Sequence, residues 1–134
     1  MNKLFGNIET IQGCGHLSLV SVNLGSGLQL SAIVIETPDT APYLSKGGPI
    51  GVLFKETEVV IAVGDGLGTS LENRLPVQVD RIEEGTLMCR LELQSGAGPI
   101  TAVVEARGAR RLGLAPGQHA YALIPCSEIM LAEV

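Results

Sequence analysis

A chain of 134 residues is long enough for one domain or two very small ones. Hydrophobic residues make up 46% of it but aromatics only 3%, with no Trp, so a core must come from Val, Ile, Leu and Ala. The net charge of −5 is evenly spread, with three Lys and six acids in 1–67 and six Arg and eight acids in 68–134, which sets aside nucleic acid as a partner.

The opening MNKLFGNIET holds no apolar signal region, and no apolar run is long enough to span a bilayer. A cytoplasmic protein with no membrane partner is therefore expected. Cys14, Cys89 and Cys126 are odd in number and lack CxxC spacing, which argues against a disulfide framework or a zinc site. Buried thiols in a reducing compartment are the expectation.

Seventeen Gly and seven Pro interleaved with short β-branched runs predict an all-β chain. An opening strand over 4–11 leads through a Gly-containing turn into HLSLVSVNL (16–24). That stretch alternates in two phases, Leu17 and Leu19 then Val20, Val22 and Leu24, and predicts a β-bulge near Leu19–Val20. A third strand follows the GSG turn. In ETPDTAPYLSKGG (36–48), Thr37 as N-cap and Pro38 at N1 predict about one helical turn before Pro42. Strands over 50–54 and 59–63 complete the set.

The order then recurs: strand 75–82, LMCRLEL (87–93) with Leu87, Cys89, Leu91 and Leu93 on one face, and a third strand after SGAG. EARGARRLGLAPG (105–117) reads as a short helix with basic residues near its end and Gly and Pro beyond. Strands over 120–124 and 129–134 end the chain. Residues 47–63 align without a gap on 117–133, pairing Thr57 with Ser127, Glu58 with Glu128 and Ala62 with Ala132. The same offset of 70 pairs SAIVI (31–35) with TAVVE (101–105), and Asn2-Lys3-Leu4 pairs with Asn73-Arg74-Leu75 at 71. The fold class is thus all-β, a tandem of two small OB-like Greek-key β-barrels, each of about five strands with one short helical turn. The units span 1–64 and 70–134, with 65–69 as linker.

The stretches SLENRLPVQVDRIEEG (70–85), ITAVVEARGARRLGLAPGQHAYALI (100–124) and VLFKETEVVIA (52–62) resemble the Mop, or TOBE-type, domain of molybdate-binding proteins. That resemblance implies a di-domain molbindin. Such a protein is not an enzyme; it is a homo-oligomer, trimer or dimer, holding molybdate or tungstate at subunit interfaces. The family's opening strand begins with Ser, a small residue, Arg and Asn. Its other ligands are a Thr and a Ser at the start of the short helix and a Lys ending the fourth strand.

Carried over, the resemblance matches Ser70 and Asn73 in the second unit and Asn2 and Lys55 in the first. Thr57 and Ser127, beside the fourth-strand ends, add candidate hydroxyls. Other ligand positions are substituted: Glu72 stands for the Arg, Glu105 and Ile35 for the Thr, Gly108 and Pro38 for the Ser, and Pro125 for the Lys. A unit charge pair 4 Å apart is worth roughly 4 kcal/mol at a dielectric of 20. A charge-assisted hydrogen bond returns about 1.5–3 kcal/mol, so Glu for Arg works strongly against a dianion.

Two functional readings follow. One is intracellular molybdate or tungstate binding at sites composed from different units, with Lys55 of one meeting Ser70 and Asn73 of another. The other is a Mop-fold interaction module that has lost the ligand. A regulator's sensor half would need its DNA-binding domain on another chain. GDGLGTS (64–70) lacks the Lys of a phosphate loop, Cys14 and His16 flank a turn-like Gly15, and Glu72 with Glu105 would form a carboxylate pair for a cation.

Overall fold

The computed structural model describes residues 1–65 and 68–134, so Gly66 and Leu67 of the expected linker lie outside the described residues. The first repeat supplies β1 (Asn2–Cys14), β2 (Leu17–Gly25), β3 (Leu28–Val34), β4 (Pro49–Phe54) and β5 (Val60–Ala62). The second supplies β6 (Arg74–Glu84), β7 (Met88–Ser95), β8 (Gly98–Glu105), the helix α1 (Ala106–Arg111), β9 (His119–Leu123) and β10 (Met130–Ala132). A single 3-10 turn, Glu56–Glu58 or Cys126–Glu128, precedes the last strand of each repeat.

The strands form two antiparallel five-stranded sheets, and the sheets are not confined to their repeats. One runs β10-β4-β1-β2-β3 and the other β5-β9-β6-β7-β8. After its 3-10 turn, each repeat sends its last strand across to the other sheet. Met130 pairs with Leu53 and Ala132 with Gly51, while Val60 pairs with Leu123 and Ala62 with Tyr121. Val59 and Ile129, each 3% exposed, anchor the two crossings. The exchange makes the repeats mutually dependent, because each sheet ends on a strand borrowed from the other.

The core has the composition the sequence allows. Leu4, Ile8, Val20, Leu30 and Val52 of one sheet and Leu75, Val77, Leu91, Leu93 and Ile100 of the other join one continuous cluster, with Phe54 its fully buried aromatic. Removing this much aliphatic surface from water stabilises by about 25 cal/mol per Å². Two small barrels sharing a core bury more per residue than either alone. Among the described residues, no helix is long and apolar enough to cross a membrane.

Several local expectations need correction. β2 pairs continuously through Leu19 and Val20, and Leu17 and Leu19 simply face outward while Ser18, Val20 and Val22 face in. The bulge sits on the neighbouring strand, where the register shifts between Ile8 and Thr10. It recurs between Val79 and Arg81, again 71 residues on. Leu87 lies outside β7 and is 79% exposed, and its carbonyl accepts Ala106 N–H at 2.9 Å. Of the cysteines only Cys89 is buried; Cys14 is exposed at a hairpin end and Cys126 is half-buried.

The helical pieces are short. α1 stops at Arg111, and Gly113, with φ of 64°, ends it by donating to Arg110 C=O. In the first repeat only a turn forms: Thr37 C=O accepts from Thr40 and Ala41 N–H, and the Thr40 hydroxyl accepts from Thr37 N–H. The capping side chain there is Thr40, not Thr37.

Candidate functional site

The candidate residues gather around two corners related by the repeat. Asn2 opens β1 and Asn73 immediately precedes β6; they are 6% and 4% exposed. Each reaches across to the other sheet. Asn2 Nδ2 donates to Thr101 C=O and Asn2 Oδ1 accepts Thr101 N–H, both at 2.8 Å. Asn73 does the same with Ser31, both bonds again at 2.8 Å. Ser31 and Thr101 are themselves repeat equivalents, so these are two copies of one clasp. Both amides are spent on backbone of the neighbouring sheet.

Around the Asn2 clasp the first repeat contributes its fourth-strand end, since Phe54 pairs with Asn2 and Lys55 follows, exposed. The 3-10 turn carrying Thr57 packs against β8. As a result Thr57, Glu105, Gly108 and Arg111 line one groove, floored by Val59, Val104 and Ala109. Beside it, Glu105, Arg107, Gly108 and Arg111 bound a second recess. Of the positions read as ligand sites, 105 and 108 of one repeat and 57 of the other are therefore brought together, while Lys55 does not line the groove.

Around the Asn73 clasp the equivalents are poorer in donors. The turn carrying Ser127 packs on β3, near Ile35, which is 81% exposed, and Pro125 takes the place of Lys55. Pro38 begins the short turn that replaces the helix. Exposed Glu72 lies with Asn73, Arg74, Ser31 and Gln29 around a shallow polar hollow. Ser70 is exposed just before it, and Arg74 folds back to donate to Leu71 and Thr69 carbonyls at 3.0 and 3.3 Å. Lys55 thus belongs to one clasp and Ser70 and Asn73 to the other.

Glu72 and Glu105 fall in these separate corners, so the carboxylate pair is not formed. Among the described residues, no three His, Cys, Asp or Glu side chains gather to hold a metal ion. Cys14 and His16 are both exposed around a turn at Gly15, whose φ is 64°.

Two carboxylates sit near these corners in defined settings. The amino-terminal ammonium beside Glu56 holds that carboxyl below its usual range. Glu36 accepts a hydrogen bond from the Tyr43 hydroxyl. Burial, then that bond and the charges of Glu36 and Glu133, pushes the Tyr43 phenol up to about 12.

The clasps and paired bulges were not read in advance. Only the bulges have a signal in the sequence: Leu4 and Ile8 share a phase that Ile11 breaks, as Val77 and Val79 share one that Ile82 breaks.

Residues 69–131 match the TOBE domain family model. That match takes in the second repeat, just under half of the chain. Its curated relatives include the molybdenum-pterin-binding protein MopA of Rhodobacter capsulatus, 35% identical over 115 residues, covering 84% of this chain and 43% of MopA. The molybdenum transport protein ModE of Azotobacter vinelandii is 28% identical over 132 residues, 98% of this chain and 49% of ModE. The chain thus spans about half the length of these curated relatives or less. Among solved structures, the molybdate-bound cytoplasmic molybdate-binding protein ModG superposes with a TM-score of 0.91 at 27% identity, covering 99% of this chain and 96% of ModG.

Proposed function

We propose that this protein binds a tetrahedral oxyanion of the molybdate or tungstate class inside the cell and so buffers molybdenum, without catalysing a reaction. The carrying observation is the end-to-end match to ModG, a molybdate-binding protein, at a TM-score of 0.91. In this reading 1–64 and 70–134 are the two units, locked together by strand exchange. The chain self-associates into a homo-oligomer, dimer or trimer. Its sites form where one copy's Lys55 and Thr57 or Ser127 approach another copy's Ser70, since within one chain Lys55 and Ser70 belong to different clasps. A dianion recognised this way takes hydroxyls, backbone N–H groups and a cation converging on it.

Isothermal titration with molybdate, tungstate and sulfate, paired with light scattering, tests the reading. Heat of binding to molybdate and a mass above the monomer are expected. No heat and no thermal stabilisation at millimolar molybdate would refute it.

The second reading is an interaction module with the same fold and no ligand. It is favoured by two observations: both clasp amides are committed to backbone, and exposed Glu72 takes part in no ion pair or side-chain hydrogen bond among the described residues. Under it, Glu72→Arg with Pro125→Lys gains anion binding that the unmodified chain lacks.

A further inference from the structure

Among the described residues, the six arginines are not equally engaged. Arg81 and Arg90 reach Glu83, each at 3.8 Å, and Arg74 holds the carbonyls before β6. Arg107, Arg110 and Arg111 make no ion pair and no side-chain hydrogen bond. Four residues apart, Arg107 and Arg111 share a face of α1. With Glu105 and Gly108 they bound a recess of about 470 Å³.

Gly108 keeps that recess open. A Cβ added there would meet nothing within 4 Å, so the space beside Gly108, in the recess that Arg107 and Arg111 also line, is open. The adjoining groove shares Glu105, Gly108 and Arg111 and brings in the Thr57 hydroxyl from the first repeat. Guanidinium groups present planar forks of donors that suit oxyanions in pairs, and they remain charged at every working pH. Glu105 is the opposing charge, which leaves the recess net positive.

The geometry points to an oxyanion subsite spanning this recess and the adjoining groove, with Arg107 and Arg111 as its cations, Thr57 as a hydroxyl donor from the groove side, and Glu105 as the residue that limits its affinity. The inference rests on the oxyanion reading above and relocates its positive charge from the opening strand, where Glu72 stands, to the helix. The first repeat has no counterpart, because its segment 36–42 carries no Lys or Arg. One such subsite per chain follows, not two. A tetrahedral dianion fits by charge and shape, molybdate and sulfate alike.

The test is calorimetric titration of the full chain at fixed ionic strength, with molybdate and separately with sulfate. The proteins are wild type, Arg107→Gln with Arg111→Gln, Glu105→Gln, and Arg81→Gln as a charge control outside the recess. The double variant is expected to weaken molybdate binding by about tenfold or more, Glu105→Gln to tighten it several-fold, and Arg81→Gln to leave it unchanged. Parallel loss of sulfate binding marks the subsite as one for tetrahedral dianions in general, and loss of molybdate alone marks it as selective; either supports it. If wild type binds molybdate and the double variant binds as well, the subsite is refuted while the oxyanion reading stands. If wild type binds neither anion, the oxyanion reading fails and the subsite with it. Should the double variant not fold, Glu105→Gln decides, and unchanged affinity there overturns the proposal.

Discussion

Asn73 holds Ser31 by both ends of its side-chain amide, accepting the Ser31 N–H and donating to the Ser31 carbonyl at 2.8 Å each. An amide placed this way mimics one more rung of a sheet. It pairs the free edge of β3 with the start of β6 and joins the two sheets at a point the strands do not reach. Asn2 repeats the arrangement on Thr101. Each clasp therefore reads as a structural use of a residue that the family resemblance places at a ligand position.

Asn73→Ala removes both bonds and leaves a backbone donor and acceptor unpaired in a part-buried setting. Each net bond is worth about 1 kcal/mol and each stranded group costs more, so a loss of about 2–3 kcal/mol is expected from urea denaturation. Asn73→Asp keeps the acceptor but turns a carboxylate oxygen toward the Ser31 carbonyl, and should be no better. Asn2→Ala should cost a similar amount. A change below about 0.5 kcal/mol in either would show that the clasp contributes nothing net.

The exchanged strands make a prediction about where damage appears. Truncation after Glu128 removes β10, which belongs to the second repeat by sequence but pairs with β4 of the first. β4 then becomes an edge strand. Amide hydrogen exchange should accelerate at Gly51 and Leu53 while β9 keeps its protection from β6. Faster exchange in β9, with β4 unchanged, would contradict the pairing.

Gly6 sits where β1 crosses β2 with no room for a side chain. A Cβ there would lie 2.3 Å from the Asn23 carbonyl oxygen and 2.8 Å from Val22 Cγ1. The first neighbour is backbone and cannot swing aside, so Gly6→Ala should destabilise by about 2–3 kcal/mol, read as a lowered denaturation midpoint. Gly108→Ala is the control, with open space around it, and differs only by helix propensity, which favours Ala by about 1 kcal/mol.

Tyr43 gives a pH signature. Burial first, and then the bond to Glu36, raise its folded-state pKa to about 12, above the ordinary 10.0. A raised value means the neutral phenol is the form the fold favours. Its contribution to stability is therefore fully present below the unfolded value near 10 and is lost as pH rises through about 12. Tyrosinate absorbance should show one group ionising near 12, and Tyr43→Phe should remove that component. An unchanged titration curve in the variant would contradict the assignment.

How far the sequence reveals this molecule differs by level. Ten strands, the repeat at offset 70 and the closing helical turns follow from local alternation and Gly–Pro punctuation, which act within a few residues. The exchange of Val60–Ala62 for Met130–Ala132 is invisible in the sequence for a physical reason. Because the repeats are alike, local alternation suits each last strand to either sheet. The bulges at Glu9 and Asp80 were legible as phase breaks in β1 and β6, but the breaks in β2 drew the prediction instead. For the site, residue identity located Lys55, Thr57, Glu105 and Gly108 in sequence. The meeting of Thr57 with Glu105 and Gly108 across two repeats needed the packing of the 3-10 turn on β8. The role of the clasp asparagines needed the third dimension entirely.

Oxyanion binding is the central claim, and equilibrium titration of the intact chain with molybdate tests it most directly. Saturable binding is predicted, with a rise in unfolding free energy that grows with free anion and reaches about 2.7 kcal/mol at a hundredfold excess over Kd. A flat titration, with a melting temperature indifferent to millimolar molybdate, would contradict it.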